Sequence, residues 1–307
     1  IGLGGSGGKT LSFLMDQLLV KLKSEGWTKD KLPEGWQFVS IDVPGVADGL
    51  GAGTGSSVEQ QGGTYIGLAT GASTYSTFAK AVENLLDGQS PSDLGYLGRW
   101  KPDQRANTIP IHSAAGGYRA VGRMVTLSRS DHIHASLANV LDRINSNEAK
   151  SECQTAGNLL GAKSPRDLAS KPPIVMMVSS LSGGSGASMV LDVADIIRSF
   201  GDVNFDSTHV TAFLYTGDVF KALSLFSAAP GSIATMAELV NSLYKAGADW
   251  TPKEWSRLGV KKAIPSAKGR GPFMMTITPK MRSRLMLEET SVTRLCNLPT
   301  ILGLQPI

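Results

Sequence analysis

KPPIVMMVSSLSGGSGASMVLDVADIIRSFG, residues 171–201, joins an apolar run to a glycine turn and then to a second apolar run. The first run, up to Leu181, is apolar without alternation, which suits a strand buried on both faces of a parallel sheet. Gly183, Gly184 and Gly186 interrupt it, and the second run reads as a helix. A strand that passes through a glycine turn into a helix brings backbone N–H groups and a positive dipole end to the carboxyl edge of a sheet, where ligands bind. Glycine allows the close backbone approach and the positive φ that such a turn needs.

Two more turns of this kind lie upstream. IGLGGSGGKT (1–10) carries glycines across positions 4–8, and SAAGGYRAVGR (113–123) carries Gly116 and Gly117. The first leads into a helix with Leu11, Leu14, Leu18 and Leu22 in register, stopped by Gly26. GWQFVSIDVPG (35–45) reads as a strand ended by Pro44 and Gly45, and residues 45–75, rich in Gly, Ser and Thr, read as a loop or mobile insertion. A helix comes next over 73–88, then a strand at 108–113 and one long helix after the turn at 114–117. Past Leu181, THVTAFLYTGD (208–218) is a strand, residues 231–247 are a helix, and beyond Trp250 only GPFMMTIT (271–278) reads as a strand. Alternating strands and helices predict an α/β fold: a three-layer, Rossmann-like, mainly parallel sheet with helices on both faces. Residues 1–250 form the expected nucleotide-binding domain, and 251–307 a basic segment that begins a central helix or a second domain.

The composition, 41% hydrophobic and 18% charged over 307 residues, excludes a disordered chain. The 35 glycines cluster rather than repeat, which excludes collagen and solenoids. Cys153 and Cys296 make no metal spacing and no disulfide framework, no signal peptide is visible in this stretch, and no apolar run in it is long enough to span a membrane. A reducing cytoplasm is the expected location. The chain starts with Ile at a glycine turn whose feeding strand is cut short, and it reads as a piece of a longer protein. Residues 253–284 hold nine Lys and Arg against one acid, Glu254. Such a strip is either a solvated loop or a surface for an acidic partner, nucleic acid or a membrane.

Several chemistries compete for the first turn. A Walker A loop needs Gly, four residues, then Gly-Lys-Thr, but Leu3 stands where the first glycine belongs before Gly8-Lys9-Thr10. A P-loop-like ATP switch survives on a strand ending at Asp42. Gly2-x-Gly4-x-x-Gly7 fits the dinucleotide fingerprint, and a Rossmann-type NAD(P)-dependent oxidoreductase stays open. The fingerprint's acid belongs about 20 residues on, however, and Asp42 comes 35 residues after Gly7. GGSGG (4–8) fits a nucleophile elbow, as GGSGA (183–187) nearly does, but only His209 comes after Ser185, inside an apparent strand. His132 and His134 stand two apart on a helix and point away from each other, so no metal site is expected.

Three glycine turns meeting at one sheet edge can wrap a di- or triphosphate without any lysine. In order and spacing they resemble those of the tubulin/FtsZ superfamily, most closely its bacterial tubulin-like proteins, over residues 1–246. GLGGSGG (2–8) is similar to the family's first phosphate loop, SGGSGAS (182–188) to its signature loop, and SAAGGYRAVGR to the loop that holds the γ-phosphate. VTAFLYTGD (210–218) resembles the strand before the ribose loop. Ser185 stands for the usual Thr, Ser188 for the last signature glycine, and Thr216 where the ribose-loop acid belongs, with Asp218 nearby.

The resemblance implies GTP or GDP with Mg²⁺ as cofactors and assembly of the chain with itself into head-to-tail filaments, as a bacterial cytoskeletal GTPase. It assigns nucleotide contacts to Gly4, Gly5, Ser6 and Gly7 in the first turn. It assigns Gly116, Gly117 and Arg119 in the next, and Gly183, Gly184, Ser185 and Gly186 in the third. Asp42 would serve the ribose or the water shell of Mg²⁺. The acid that positions the attacking water is expected from a neighbouring subunit. Past Asp249 this chain holds only Glu254, Glu288 and Glu289, and none forms an Asn-x-x-Asp-like run. The expectation is a chain that binds GTP and turns it over poorly when alone.

Overall fold

The computed structural model describes residues 1–47, 55–71, 74–85, 111, 115, 117–162, 173–200, 210–223, 228–244 and 273–277. Its elements are β1 (Gly2–Leu3), α1 (Gly4–Ser24), β2 (Val39–Asp42), β3 (Thr64–Gly67), α2 (Tyr75–Leu85), α3 (Arg119–Ser128), α4 (Ser130–Ile144) and α5 (Asn147–Leu159). They continue with β4 (Val175–Ser180), α6 (Gly186–Arg198), β5 (Val210–Tyr215), a 3-10 helix at Gly217–Leu223, α7 (Ala228–Tyr244) and β6 (Phe273–Ile277). The six strands form one sheet in the order β3-β2-β1-β4-β5-β6, and every pair is parallel. The strand order reverses between β1 and β4, and in open α/β sheets that reversal opens a crevice at the carboxyl ends of the strands.

Strand residues alternate between two faces. Leu3, Val39, Ile41, Ile66, Met177, Ala212 and Leu214 point to one side, into the main core shared with Val121 and Val125 of α3, Ile133 of α4 and Val193 and Ile197 of α6. The other side belongs to α1. There Leu11 and Met15 pack with Val58 and Phe38, Gly8 lies over Ser40, and the Tyr215 hydroxyl reaches Thr10 at 3.1 Å. The arrangement comes from handedness: right-handed crossovers running in opposite lateral directions, β1 to β2 and β4 to β5, put α1 and α6 on opposite faces.

Four expectations change. The first helix starts at Gly4, so the glycines form its first turn and do not precede it. Residues 45–75 are not all loop, because Thr64–Gly67 pairs residue for residue with Val39–Asp42. The long helix is two, α3 and α4, separated at Arg129 with φ −119° and ψ 19°. The apolar strand β4 is not buried along its whole length, since Met176 is 56% exposed. β6 pairs with β5 in the same sheet. Among residues 251–307 only β6 is described, so the basic strip 253–284 otherwise lies outside the described residues, and so does most of the strand expected at 108–113. No helix among the described residues is long and apolar enough to cross a membrane.

Candidate functional site

The crevice at the β1/β4 reversal is a cleft of about 230 Å³. Its floor is Leu3 to Ser6, where β1 enters α1. One wall is Asp42 and Pro44 after β2, another is Ser180 and Gly183–Gly186 between β4 and α6, and a third is Ala115 and Gly117 ahead of α3. Three helices, α1, α3 and α6, therefore begin at one cleft. No side chain caps any of them, and none has an acid in its first turn. The first N–H groups of a helix have no partner within it, and the dipole adds partial positive charge at the same end. Three such ends around one space make a strong anion cradle.

The glycines of the three turns play different parts. Gly4 has a φ of +70°, and a Cβ there would stand 2.7 Å from the Gly186 nitrogen. At Gly186 a Cβ would stand 2.3 Å from the Leu3 carbonyl oxygen, so the turns after β1 and β4 are pressed together backbone to backbone. Gly184 meets the turn ahead of α3, where an added Cβ would lie 2.9 Å from the Tyr118 nitrogen and 3.0 Å from the Ala115 Cβ. Gly183 is unlike these: nothing lies within 4 Å of where its Cβ would be, although it lines the cleft.

Of the expected site residues, Gly4, Gly5, Ser6, Asp42, Gly117, Gly183, Gly184, Ser185 and Gly186 all line this cleft. Gly7 is not a lining residue. It lets α1 cross the sheet closely, since a Cβ there would stand 2.4 Å from the Val178 carbonyl oxygen. Gly116 lies outside the described residues. Arg119 is not among the lining residues either, and its guanidinium donates to Glu238 on α7. Sequence reasoning missed Ser180, Pro44, Ala115 and Leu3. The first two flank strand ends already assigned, so extending each turn by a residue or two reaches them.

Two of the competing chemistries, the Walker A loop and the nucleophile elbow, find no matching geometry among the described residues. Lys9 is exposed and outside the cleft lining, and Thr10 gives its hydroxyl to Ser6 O at 2.9 Å, so no Walker A arrangement forms. Among the described lining residues there is no histidine to activate Ser6 or Ser185. His134 stacks on Phe200 with ring centroids 4.4 Å apart, and among the described residues no cluster of His, Cys, Asp or Glu can hold a metal by itself.

Behind the cleft, Arg123 of α3 makes two 3.0 Å bonds to Asp192 of α6, with both side chains almost fully buried. Burial pushes the Asp192 carboxyl above its ordinary range and the Arg123 guanidinium pulls against it. Glu238 is likewise pushed up by burial and pulled down by its bond to Arg119.

Compared with known protein families, the chain matches the family described as "Tubulin like" over residues 1–276. No curated protein and no solved structure matches it significantly.

Proposed function

The chain belongs to the tubulin-like family, and from that premise we propose that its cleft binds GTP or GDP and that the protein is a self-assembling bacterial cytoskeletal GTPase of head-to-tail filaments. The observation that carries this reading is the meeting of three helix starts without side-chain caps at one cleft, with Gly183 opening onto it. Backbone N–H groups at Gly4–Ser6, at Gly184–Gly186 and at Gly117 and Arg119 donate to phosphate oxygens, while the Tyr118 N–H is held by Ala115 O at 3.0 Å, and the dipoles of α1, α3 and α6 favour the negative charge.

The lining residues fit Mg²⁺ in its usual phosphate-bound form, with one protein carboxylate and the remaining positions filled by phosphate and water. Asp42 is that carboxylate: it lines the cleft, and its Oδ1 accepts the Val43 N–H at 2.7 Å, which fixes its orientation. When bound, the ion offsets charge on the phosphate oxygens. Asp42 is also the one acid among the described lining residues, and in this reading the group that orients an attacking water comes from a neighbouring subunit.

A second reading keeps some support. The strand order is that of doubly wound dinucleotide domains, with an acid, Asp42, at the tip of β2. The third helix start favours a longer phosphate chain over a pyrophosphate. Thermal unfolding with GTP, GDP, ATP and NADH separates the two. A ligand at a hundredfold excess over its Kd stabilises the fold by ~2.7 kcal/mol. GTP and GDP should raise the melting temperature, and a shift with NADH and none with GTP overturns the proposal.

A further inference from the structure

We propose that Glu238 is a positioning residue for the glycine turn ahead of α3: through Arg119 it holds the start of α3 against the cleft and so lets the site favour a nucleoside triphosphate over a diphosphate. This rests on the nucleotide reading above.

The three turns are not held in the same way. Two of them come directly after β1 and β4, which pair in parallel with Gly2 opposite Val178 and Leu3 opposite Ser179. Sheet hydrogen bonds fix those two turns to each other. Among the described residues the turn ahead of α3 has no such ladder: it is held by packing, with Gly184 against Ala115, Gly117 and Tyr118, and by α3, which packs on α6. Gly122 lies on the Gly184 carbonyl, Arg123 is bound to Asp192, and Arg119 is bound to Glu238. Arg119 is the first residue of α3, and only Tyr118 separates it from Gly117 in the cleft wall.

The same face of α7 grips the turn after β4. Ser232 shares a 2.5 Å hydrogen bond with Ser182, and the Thr235 hydroxyl donates to Leu181 O at 2.9 Å. Ser232, Thr235 and Glu238 recur at intervals of three and therefore share one side of the helix. One helix face thus braces both the β4 turn and the α3 turn. A diphosphate can be held by the two turns that the sheet fixes. A further phosphate needs donors from the α3 wall, so loosening that wall weakens the triphosphate selectively.

Arg119 and Glu238 are 12% and 25% exposed, so this pair can be broken without stranding a fully buried charge. The test is calorimetric titration of β,γ-methylene GTP and of GDP into the wild type, Glu238→Gln, Arg119→Gln and the double variant. Each single substitution should lower the triphosphate-to-diphosphate affinity ratio about tenfold, the worth of one charge-assisted hydrogen bond. The double variant should lower it no further. Glu238→Asp should restore part of the ratio. Glu152→Gln, which breaks a distant ion pair on α5, should leave it unchanged.

Equal weakening of both ligands would reduce Glu238 to a stability role and overturn the proposal. Tighter triphosphate binding by Glu238→Gln would overturn it differently, by making Arg119 a phosphate ligand that Glu238 holds back. Hydrogen exchange tests the brace without any nucleotide. In Glu238→Gln, amides 117–122 should exchange faster while those opening α1 and α6 do not, and unchanged exchange at 117–122 overturns the brace. A wild type that binds neither ligand overturns the proposed function, with the exchange result still deciding the brace.

Discussion

Gly183 and Gly184 are neighbours, yet a side chain would have opposite effects on them. At Gly183 it would enter open space on the cleft side, and its φ is not in the left-handed region. Gly183→Val should therefore leave stability within ~0.5 kcal/mol of wild type and abolish nucleotide binding, measured by urea unfolding and by calorimetry on one preparation. At Gly184 even a methyl group meets Tyr118 N and the Ala115 Cβ. Gly184→Ala should cost about 1–3 kcal/mol of stability as an overpacked site. If both variants lose stability alike, Gly183 is a packing glycine and does not open onto the cleft. The sequence shows the glycine clusters plainly, but it does not show which glycine faces a ligand and which faces a backbone. That depends on neighbours such as Ala115 and Tyr118, which the fold brings in from more than sixty residues away. Ser185 is legible as a hydroxyl in the signature turn, and Ser185→Ala should weaken nucleotide binding by about one hydrogen bond, on the order of 1 kcal/mol.

The elements are legible where their periodicity is strong and opaque where partners decide. α1, α6 and α7 obey their apolar spacing. β3 is four residues between glycine-rich stretches, and its strand character comes from pairing with β2. The break between α3 and α4 is hidden because Ser128 and Ser130 are ordinary in a helix until their hydroxyls turn back. Ser128 bonds to Val125 O and Ser130 to Leu127 O, which competes with the helical ladder at Arg129. α3 and α6 are joined by Arg123 and Asp192, and removing one partner leaves a buried charge alone. Asp192→Asn should cost about 3–5 kcal/mol, read from denaturant midpoints. α5 makes a different contribution. Burial pushes the Glu152 carboxyl up, but the Lys29 ammonium, the Glu34 N–H and Lys31 together bring it below its ordinary range. A carboxyl lowered by folding adds stability that is present above its unfolded value, here 4.5, and is lost as pH falls through its folded value. The stability gap between wild type and Glu152→Gln should accordingly close on acidification below about pH 4.5, tracked by urea unfolding across pH. A gap that stays constant would mean that Glu152 does not pin the α1–β2 connection by charge.

At the scale of the whole molecule, the proposed nucleotide cleft is built within one chain, while hydrolysis asks for something more. Phosphoryl transfer to water depends on positioning the water and stabilising charge. The cleft supplies donors for charge from α1, α3 and α6, but the one carboxylate among its described lining residues, Asp42, is already oriented by the Val43 N–H and lies at the β2 wall. The chain of 307 residues should therefore bind GTP and release phosphate slowly, at a rate per molecule that does not rise with protein concentration. Phosphate release measured across a wide concentration range decides among three mechanisms. A slow, flat rate agrees with a water-orienting acid that these residues do not provide. A rate that climbs with concentration would mean that one copy already offers such an acid to the next, and Glu254, Glu288 and Glu289 become the first substitutions to make. Fast turnover at every concentration would place the catalytic group within a single chain, and hydrolysis at a shared site would have to be abandoned even though the nucleotide cleft stands.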